Sequence, residues 1–293
     1  MGELTVWKYH GTGNDFVMIE DLEDERPLRA ELVAALCDRH RGIGADGVIR
    51  ITRAEDGAAA SFFMDHWNAD GSVAEMCGNG IRCLAKLVFE RRHTTDTEFG
   101  VDTRAGVKHL SLDTAGGVVR GVTVGMGRAR LARRDVPMTG GDPDEPFLTE
   151  PFDVEGRTYK ASAVSMGNPH LVLFVEEDPA QVDVHRIGPA VERDPRFPDK
   201  TNVEFVAIDA DGGIRLRVWE RGVGETMACG TGACAALVAA NEAGLVARRA
   251  PVRYPGGELV VERTDQQLLL TGPAERVFEA TVDDAWLGAR GLR

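Results

Sequence analysis

The sequence predicts an α+β protein made of two homologous halves that face each other across a cleft. Three observations support this prediction. The length of 293 residues accommodates two domains at roughly 150 residues each. Short β-branched segments, separated by Gly, Asp and Pro, occupy most of the chain. The third observation is an internal repeat, from which each half is expected to contribute one Cys-Gly-x-Gly turn leading into a buried helix.

The repeat surrounds two similar glycine-rich turns. Residues 65–88 align without gaps onto residues 217–240 at an offset of 152, and Gly13-Asn14 matches Gly167-Asn168 at an offset of 154. Because Trp and Cys are rare in this chain, their coincidence favours duplication over chance. The identical pairs in the longer alignment are Trp67 and Trp219, Cys77 and Cys229, Gly78 and Gly230, and Gly80 and Gly232.

Strands are predicted where apolar and β-branched residues form short runs bounded by turn residues. The predicted strand segments, in chain order, are residues 6–9, 16–20, 47–51, 61–64, 121–127, 170–176, 203–208, 214–220, 258–262 and 267–272.

Helices are predicted in three places. Apolar residues recur at helical spacing between Pro27 and His40 and again from Ile81 to Val88. The Ala-rich segment Ala233–Ala240 is apolar on nearly all sides, which predicts a buried helix. Residues 131–151, rich in Pro, Gly and acidic residues, are the best candidate for a linker.

Charge and composition exclude several function classes. With 34 basic and 47 acidic residues the net charge is −13, so the chain repels phosphate backbones and anionic lipid surfaces. We expect no nucleic-acid partner and no membrane association. The N-terminal residues lack a secretory pattern, and an odd count of five cysteines does not indicate a disulfide scaffold, so the expected location is the cytoplasm.

The two repeated cysteines are expected to begin helices. A helix N-terminus presents unpaired N–H groups and a partial positive charge, which bind carboxylates and lower the pKa of a thiol. Two such turns facing each other could hold one carbon between two sulfur atoms. That arrangement suits removal of a proton from one face of the carbon and return of a proton to the other.

No cofactor or metal is expected. Amide donors at the helix starts could stabilise the carbanion electrostatically, which is the role an electron-sink cofactor would otherwise fill. Neither cysteine motif contains a lysine for pyridoxal chemistry, and the residues around the cysteines do not have zinc-ligand spacing.

Six strings distributed along the chain closely resemble the diaminopimelate epimerase family. The resemblance implies cofactor-independent interconversion of LL- and meso-diaminopimelate in bacterial lysine and peptidoglycan precursor synthesis, by an enzyme that forms a homodimer. It also implies two domains, each a sheet or barrel around a central helix, with residues 1–128 joined by residues 275–293 and a second domain of residues 129–274. The strings are GTGNDFV (11–17), GADGV (44–48), NADGSVAEMCGNGIRC (68–83), GNPH (167–170), TNVEF (201–205) and ERGVGETMACGTGACA (220–235).

The resemblance assigns site residues position by position. Cys77 and Cys229 resemble the acid/base pair, and His170 and Glu220 resemble groups that tune their ionisation. Glu220 with Arg221 also resembles the pair that contacts the substrate's amino group and distal carboxylate. The remaining substrate contacts implied are the helix-start residues Gly78, Asn79, Gly230 and Thr231 and the polar ring Asn14, Asn68, Asn168 and Asn202.

Two departures and three alternatives accompany this assignment. Gly47 stands where many family members have a substrate-contacting Gln, and Phe278 stands where many have a Tyr at the dimer contact. Cys37, Cys83 and Cys234 are expected to be buried apolar residues. The alternative functions are a proline or hydroxyproline racemase, a thiol–disulfide redox protein, and a non-enzymatic phosphate- or metabolite-binding module that uses the glycine-rich helix starts.

Overall fold

The structure, a computed structural model, describes residues 4–292 and divides into two compact units. The first unit contains the chain up to Val124 together with the chain from Gly272 onward, and the second is Gly125–Thr271. The boundaries expected at residues 128 and 275 lie within four residues of this division.

Strands dominate both units. They are β1 (Leu4–Gly11), β2 (Asn14–Glu20), β3 (Gly47–Arg53), β4 (Phe62–Asn68), β5 (Glu98–Asp102), β6 (Lys108–Ala115), β7 (Val118–Gly127), β8 (Glu150–Val154), β9 (Arg157–Ser165), β10 (Pro169–Phe174), β11 (Asn202–Ile208), β12 (Ile214–Glu220), β13 (Gly224–Thr226), β14 (Arg249–Tyr254), β15 (Gly257–Arg263), β16 (Leu268–Gly272) and β17 (Glu275–Val282). The α-helices are α1 (Ala30–Cys37), α2 (Gly78–Glu90), α3 (Val184–Glu192), α4 (Gly230–Glu242) and α5 (Asp284–Gly288).

The two units share one strand topology. In the first unit the neighbours run β17-β1-β2-β3-β4-β5-β6-β7, with β2–β3 and β4–β5 parallel and the other pairs antiparallel. In the second unit the order β8-β9-β10-β11-β12-β14-β15-β16 repeats the same alternation, with β10–β11 and β12–β14 parallel. The repeat predicted from the sequence is therefore confirmed at the level of the fold.

The repeat is closest around the two glycine-rich turns. Helices α2 and α4 each have 13 residues, and strands β4 and β12 each have seven, with the second member of each pair displaced by the same 152 positions as in the sequence alignment. Each helix is buried along most of its length and packs against the strands of its own unit. Each unit is thus a sheet wrapped around a central helix, as expected.

A second apolar layer lies on the outer face of each sheet. Because strand side chains alternate between faces, Val17 and Ile19 of β2 pack with α1 and α5, whereas Leu171 and Leu173 of β10 pack with α3. Among residues 4–292, no helix combines the length and apolar character needed to cross a membrane.

The structure agrees with most local predictions and corrects one. All ten predicted strand segments overlap strands, although three of them (61–64, 170–176 and 267–272) extend one or two residues beyond the observed strand. The three predicted helices correspond to α1, α2 and α4, although α1 is limited to Ala30–Cys37. The expectation of a linker over residues 131–151 is wrong, because Val136, Met138 and Phe147 belong to the apolar core of the second unit. Helix α3 escaped prediction because Gly188 and Pro189, which disfavour helix interiors, lie inside it.

Candidate functional site

Each unit contains a half-site built at the start of its central helix. In the first unit, Cys77 is the N-cap of α2, with the extended backbone typical of that position (φ −136°, ψ 122°). It is half-buried, and Gly78 and Asn79 are the first two residues of the helix, so their N–H groups belong to the unpaired first turn. The expected helix start at Cys77 is confirmed.

Asn14, at the start of β2, links the Cys77 half-site to a charged group. Its Nδ2 donates to Asp46 Oδ2 at 2.8 Å, which turns Oδ1 towards the helix start. That oxygen accepts from Asn79 Nδ2 at 3.3 Å and lies 3.5 Å from Cys77 Sγ, placed to accept from the thiol. Asp46 is itself fixed by Arg39 at 2.7 Å.

Arg82, within α2 itself, also holds the start of this helix in place. Its side chain is completely buried, Nη1 donates to Gly78 O at 2.9 Å, and Nη2 donates to Asn79 Oδ1 at 2.9 Å. Burial lowers the pKa of this guanidinium, while the nearby Cys83 and Cys77 favour its charged form. Arg82 therefore fixes both residues expected to bind the reacting carboxylate.

Two other predicted positions of the first unit lie outside this network. Asn68, at the end of β4, is exposed and donates to Ser72 Oγ at 3.0 Å. At Gly47 a Cβ atom would lie 2.5 Å from the backbone oxygen of Trp67. A glutamine on this backbone would therefore collide with the neighbouring strand unless the backbone shifted.

In the second unit Cys229 is the N-cap of α4 (φ −127°, ψ 119°), and Gly230 and Thr231 are the first two helical residues. Its Sγ accepts from the Gly232 backbone N–H at 3.4 Å and lies 3.4 Å from Thr231 Oγ1. The second expected helix start is confirmed as well.

The expectation of a readily ionised thiol is wrong for Cys229. Burial and the negative charges of Glu220 and Glu204 raise its pKa well above the ordinary value, against the smaller opposing effect of hydrogen bonds from Thr231 and Gly232. The helix start is too weak to offset the loss of hydration at a side chain that is only 7% exposed. Glu220 also accepts from Thr226 Oγ1 and from Cys229, and its burial raises its own pKa.

His170 lies behind Cys229 rather than against it. Its Nδ1 is 2.6 Å from Glu204 Oε1, its Nε2 is 3.0 Å from Asn168 Oδ1, and both His170 and Glu204 are completely buried. Asn168 Nδ2 donates to Thr231 Oγ1 at 3.4 Å. The predicted tuning residue is therefore connected to the thiol through Asn168 and Thr231.

Asn202 and Arg221 form a second contact pair in this unit. Asn202 Oδ1 accepts from the Arg221 backbone N–H at 2.8 Å, and Asn202 Nδ2 donates to Pro169 O at 2.8 Å. The Arg221 side chain is exposed and donates to Asp199 O at 3.1 Å. Within residues 4–292 this guanidinium forms no salt bridge, so its charge is not neutralised by a neighbouring carboxylate.

Three residues of the half-sites were missed by sequence reasoning: Asp46, Arg82 and Glu204. Each is a charged side chain inside a string quoted for other reasons, and Glu204 and Arg82 occupy positions that are otherwise apolar in a strand and a helix. Buried charge in such a pattern was the available signal. The three remaining cysteines (Cys37, Cys83, Cys234) are buried, and burial raises the pKa of each thiol to about 12, which agrees with their expected apolar role.

Comparison with known proteins relates both half-sites to one family. The family model described as diaminopimelate epimerase matches residues 6–132 and 162–277. The chain is 43% identical over 284 residues to a diaminopimelate epimerase of Desulfitobacterium hafniense, covering 95% of this chain and 98% of the relative. It is 45% identical over 276 residues to diaminopimelate epimerase 1 of a Nostoc species, covering 92% and 96%.

Solved structures of other enzymes share the fold. A hydroxyproline epimerase from Agrobacterium vitis, with bound trans-4-hydroxy-L-proline, superposes with a TM-score of 0.67 at 14% identity, covering 96% of this chain and 91% of that one. A methylitaconate-delta-isomerase superposes with a TM-score of 0.64 at 14% identity, covering 98% and 97%. At these identities the likeness extends to the fold alone.

Proposed function

The chain belongs to the diaminopimelate epimerase family, and from this premise we propose that Cys77 and Cys229 interconvert LL- and meso-diaminopimelate without a cofactor. The protein is an isomerase, and its reaction serves lysine biosynthesis. We also propose that the reaction supplies peptidoglycan precursor synthesis and that the protein is located in the cytoplasm, where thiols stay reduced.

One observation carries the mechanistic proposal: the two units place chemically identical groups at equivalent positions. Cys77 and Cys229 are both N-caps of 13-residue helices in units of the same topology. A single base would return a proton to the face from which it came. Two thiols can instead serve opposite faces of one carbon, one as the base and the other as the acid, with the roles exchanged for the other isomer.

The helix starts supply the electrostatic part of catalysis. The N–H groups at Gly78-Asn79 and Gly230-Thr231 would receive the carboxylate attached to the reacting carbon, where negative charge grows as the proton leaves. Preorganised donors of this kind contribute on the order of 10²–10³ in rate each.

The distal end of the substrate is assigned to polar groups of the half-sites. Arg221 carries a charge with no salt-bridge partner within residues 4–292, and its bidentate guanidinium suits a carboxylate. Glu220 would contact the substrate's amino group. The asparagines assigned to the same polar ring are Asn14, Asn68, Asn168 and Asn202.

The proposal is tested by isotope exchange. The protein is incubated in D₂O with LL-diaminopimelate, meso-diaminopimelate or L-proline, and α-deuteration and the isomer ratio are followed over time. Deuterium is expected at the α-carbon of diaminopimelate and not of proline. Exchange into proline alone would contradict the assigned substrate.

The cysteine assignment is tested in the same assay. Cys77→Ala and Cys229→Ala should each lower interconversion by a factor on the order of 10²–10⁴, because each removes one acid/base group. Cys37→Ala is the matched control and should retain activity. Near-normal interconversion by either active-site variant would rule out the two-base mechanism.

We also propose that the enzyme is a homodimer. The support is β17, a strand on which the apolar side chains of Val277 and Phe278 are 56% and 40% exposed. Light scattering of the protein and of Phe278→Asp tests this: a dimer that becomes a monomer supports the proposal, and a monomeric unmodified protein contradicts it.

A further inference from the structure

The two half-sites are not chemically equivalent behind their cysteines. Strands β2 and β3 of the first unit correspond to β10 and β11 of the second, and both pairs are parallel. In this comparison Phe16, which lies opposite Gly47, is equivalent to His170, which lies opposite Asn202. Ile49, opposite Met18, likewise corresponds to Glu204, opposite Val172. The first unit therefore has two apolar side chains where the second unit has a buried histidine and a buried carboxylate.

The equivalent asparagines are turned in opposite senses by their neighbours. Asn14 presents Nδ2 to the Asp46 carboxylate, so its oxygen faces the Cys77 half-site. Asn168 presents its oxygen to His170 and its Nδ2 to Thr231. The thiol of Cys77 therefore has a hydrogen-bond acceptor beside it, Asn14 Oδ1, whereas Asn168 presents a donor, Nδ2, to Thr231 beside Cys229.

The orientation of Asn168 depends on the protons of His170. Asn168 Oδ1, 3.0 Å from Nε2, accepts a hydrogen bond only from a ring that carries a proton on Nε2, and Glu204 Oε1 lies 2.6 Å from the other ring nitrogen, Nδ1. A neutral ring with its proton on Nδ1 would present an acceptor at Nε2, and the Asn168 amide would have to reverse.

The last link is the Thr231 hydroxyl. Because its oxygen accepts from Asn168 Nδ2 at 3.4 Å, its proton is available for Cys229 Sγ at 3.4 Å. A reversed Asn168 amide would take that proton instead. Other titratable groups around Cys229 are Glu220 on β12 and Tyr254 on β14, whose hydroxyl donates to Cys229 O at 2.7 Å.

We propose that Glu204 is a positioning residue for the acid/base reaction: through His170 it fixes the Asn168 amide so that Thr231 donates to Cys229 Sγ. The donated proton stabilises the Cys229 thiolate when it forms during turnover, against the burial that disfavours it. This inference rests on the proposed role of Cys229 and adds a residue to it. The Oε2 atom of Glu204 has no hydrogen-bond partner within residues 4–292, so the Glu204 carboxylate acts through Oε1 alone.

Glu204 can affect the pKa of Cys229 in two ways, through its own charge and through the hydrogen-bond relay, and substitution of Glu204 shifts that pKa in opposite directions in the two cases. Its negative charge by itself raises the pKa of Cys229, so removing the charge would make the thiol ionise at lower pH. Breaking the relay removes a donor from the thiolate, so the thiol would ionise at higher pH.

The experiment measures iodoacetamide alkylation of the substrate-free protein over a series of pH values, with peptide mapping to follow Cys77 and Cys229 separately. In Glu204→Gln the pH midpoint for Cys229 should rise, with alkylation on the order of tenfold slower below the midpoint. Thr231→Val should have a similar effect. In the Thr231→Val background, Glu204→Gln should no longer raise the midpoint, because the relay is already broken.

The matched control is Glu258→Gln, which changes an exposed carboxylate of the same unit and should leave both profiles unchanged. The Cys77 profile is an internal control for folding. The inference is overturned if Glu204→Gln lowers the Cys229 midpoint, leaves it unchanged, or shifts Cys77 equally. No diaminopimelate enters this experiment, so its outcome is independent of whether the proposed reaction occurs.

Discussion

His170 Nδ1 lies 2.6 Å from Glu204 Oε1, and neither side chain has any solvent-exposed surface. Burying two polar, ionisable side chains costs hydration free energy, and removal of one member leaves the other without its hydrogen-bond partner. The equivalent first-unit positions, Phe16 and Ile49, show that the fold accommodates an apolar pair at the same place. Retention of the polar pair in the second unit therefore points to function rather than stability.

The pair can be replaced by its first-unit counterpart. His170→Phe and Glu204→Ile, made singly, should each lower the free energy of unfolding by about 1–3 kcal/mol, because a buried polar group loses its hydrogen-bond partner. The double variant should recover most of that loss while its epimerase activity stays low. Urea denaturation and the isomer assay measure the two quantities. A double variant as unstable as the sum of the single variants would contradict this account.

Arg221 provides a test of substrate recognition. Arg221→Ala should cost about 2–5 kcal/mol in kcat/KM for diaminopimelate, because the distal carboxylate loses its charge partner. Arg221→Lys should recover little, since lysine lacks the bidentate fork. Arg249→Ala, an exposed arginine of the same unit, is the control. Normal kcat/KM in Arg221→Ala would place the distal carboxylate elsewhere.

Gly232 should be intolerant of a methyl group. A Cβ atom there would lie 2.8 Å from Glu204 Oε1 and 3.3 Å from Cys229 Cβ. Gly232→Ala should therefore lower the free energy of unfolding by about 1–3 kcal/mol and slow epimerisation, because the carboxylate must move. At Gly121 the nearest atom to a new Cβ is 4.0 Å away, so Gly121→Ala is the control. Equal melting temperatures for the two variants would contradict the prediction.

His66 should make stability depend on pH. Burial, followed by the charge of Arg104, lowers its pKa from 6.5 to about 4. The unfolded chain thus binds the proton first as the pH falls. The resulting contribution to stability is complete above pH 6.5 and is lost progressively towards pH 4, a change of about 3 kcal/mol.

The measurement compares variants by urea denaturation at pH 7 and pH 4. His66→Gln should lose about 3 kcal/mol less than the unmodified protein over this interval, whereas the exposed His109→Gln should behave like the unmodified protein. Equal losses in all three proteins would show that His66 does not contribute.

The sequence by itself determined the duplication, the family, the position of both cysteines at helix starts and most strands. These features depend on local patterns, such as period-two apolar runs, glycine next to cysteine, and matched spacing in two segments. They can be recognised because a strand or a helix start imposes its requirements on neighbouring residues.

Only the tertiary structure decided how the thiols are tuned. The expectation of an easily ionised Cys229 considered the helix start alone, whereas burial and the carboxylates of Glu220 and Glu204 have the larger effect. His170 is 34 positions from Glu204 and 61 positions from Thr231 along the chain. The three residues come together because β10 and β11 pair in parallel beside the start of α4. A pKa depends on the hydration and charge within a few ångströms of an atom, and that surrounding volume is filled by residues that no local sequence pattern brings together.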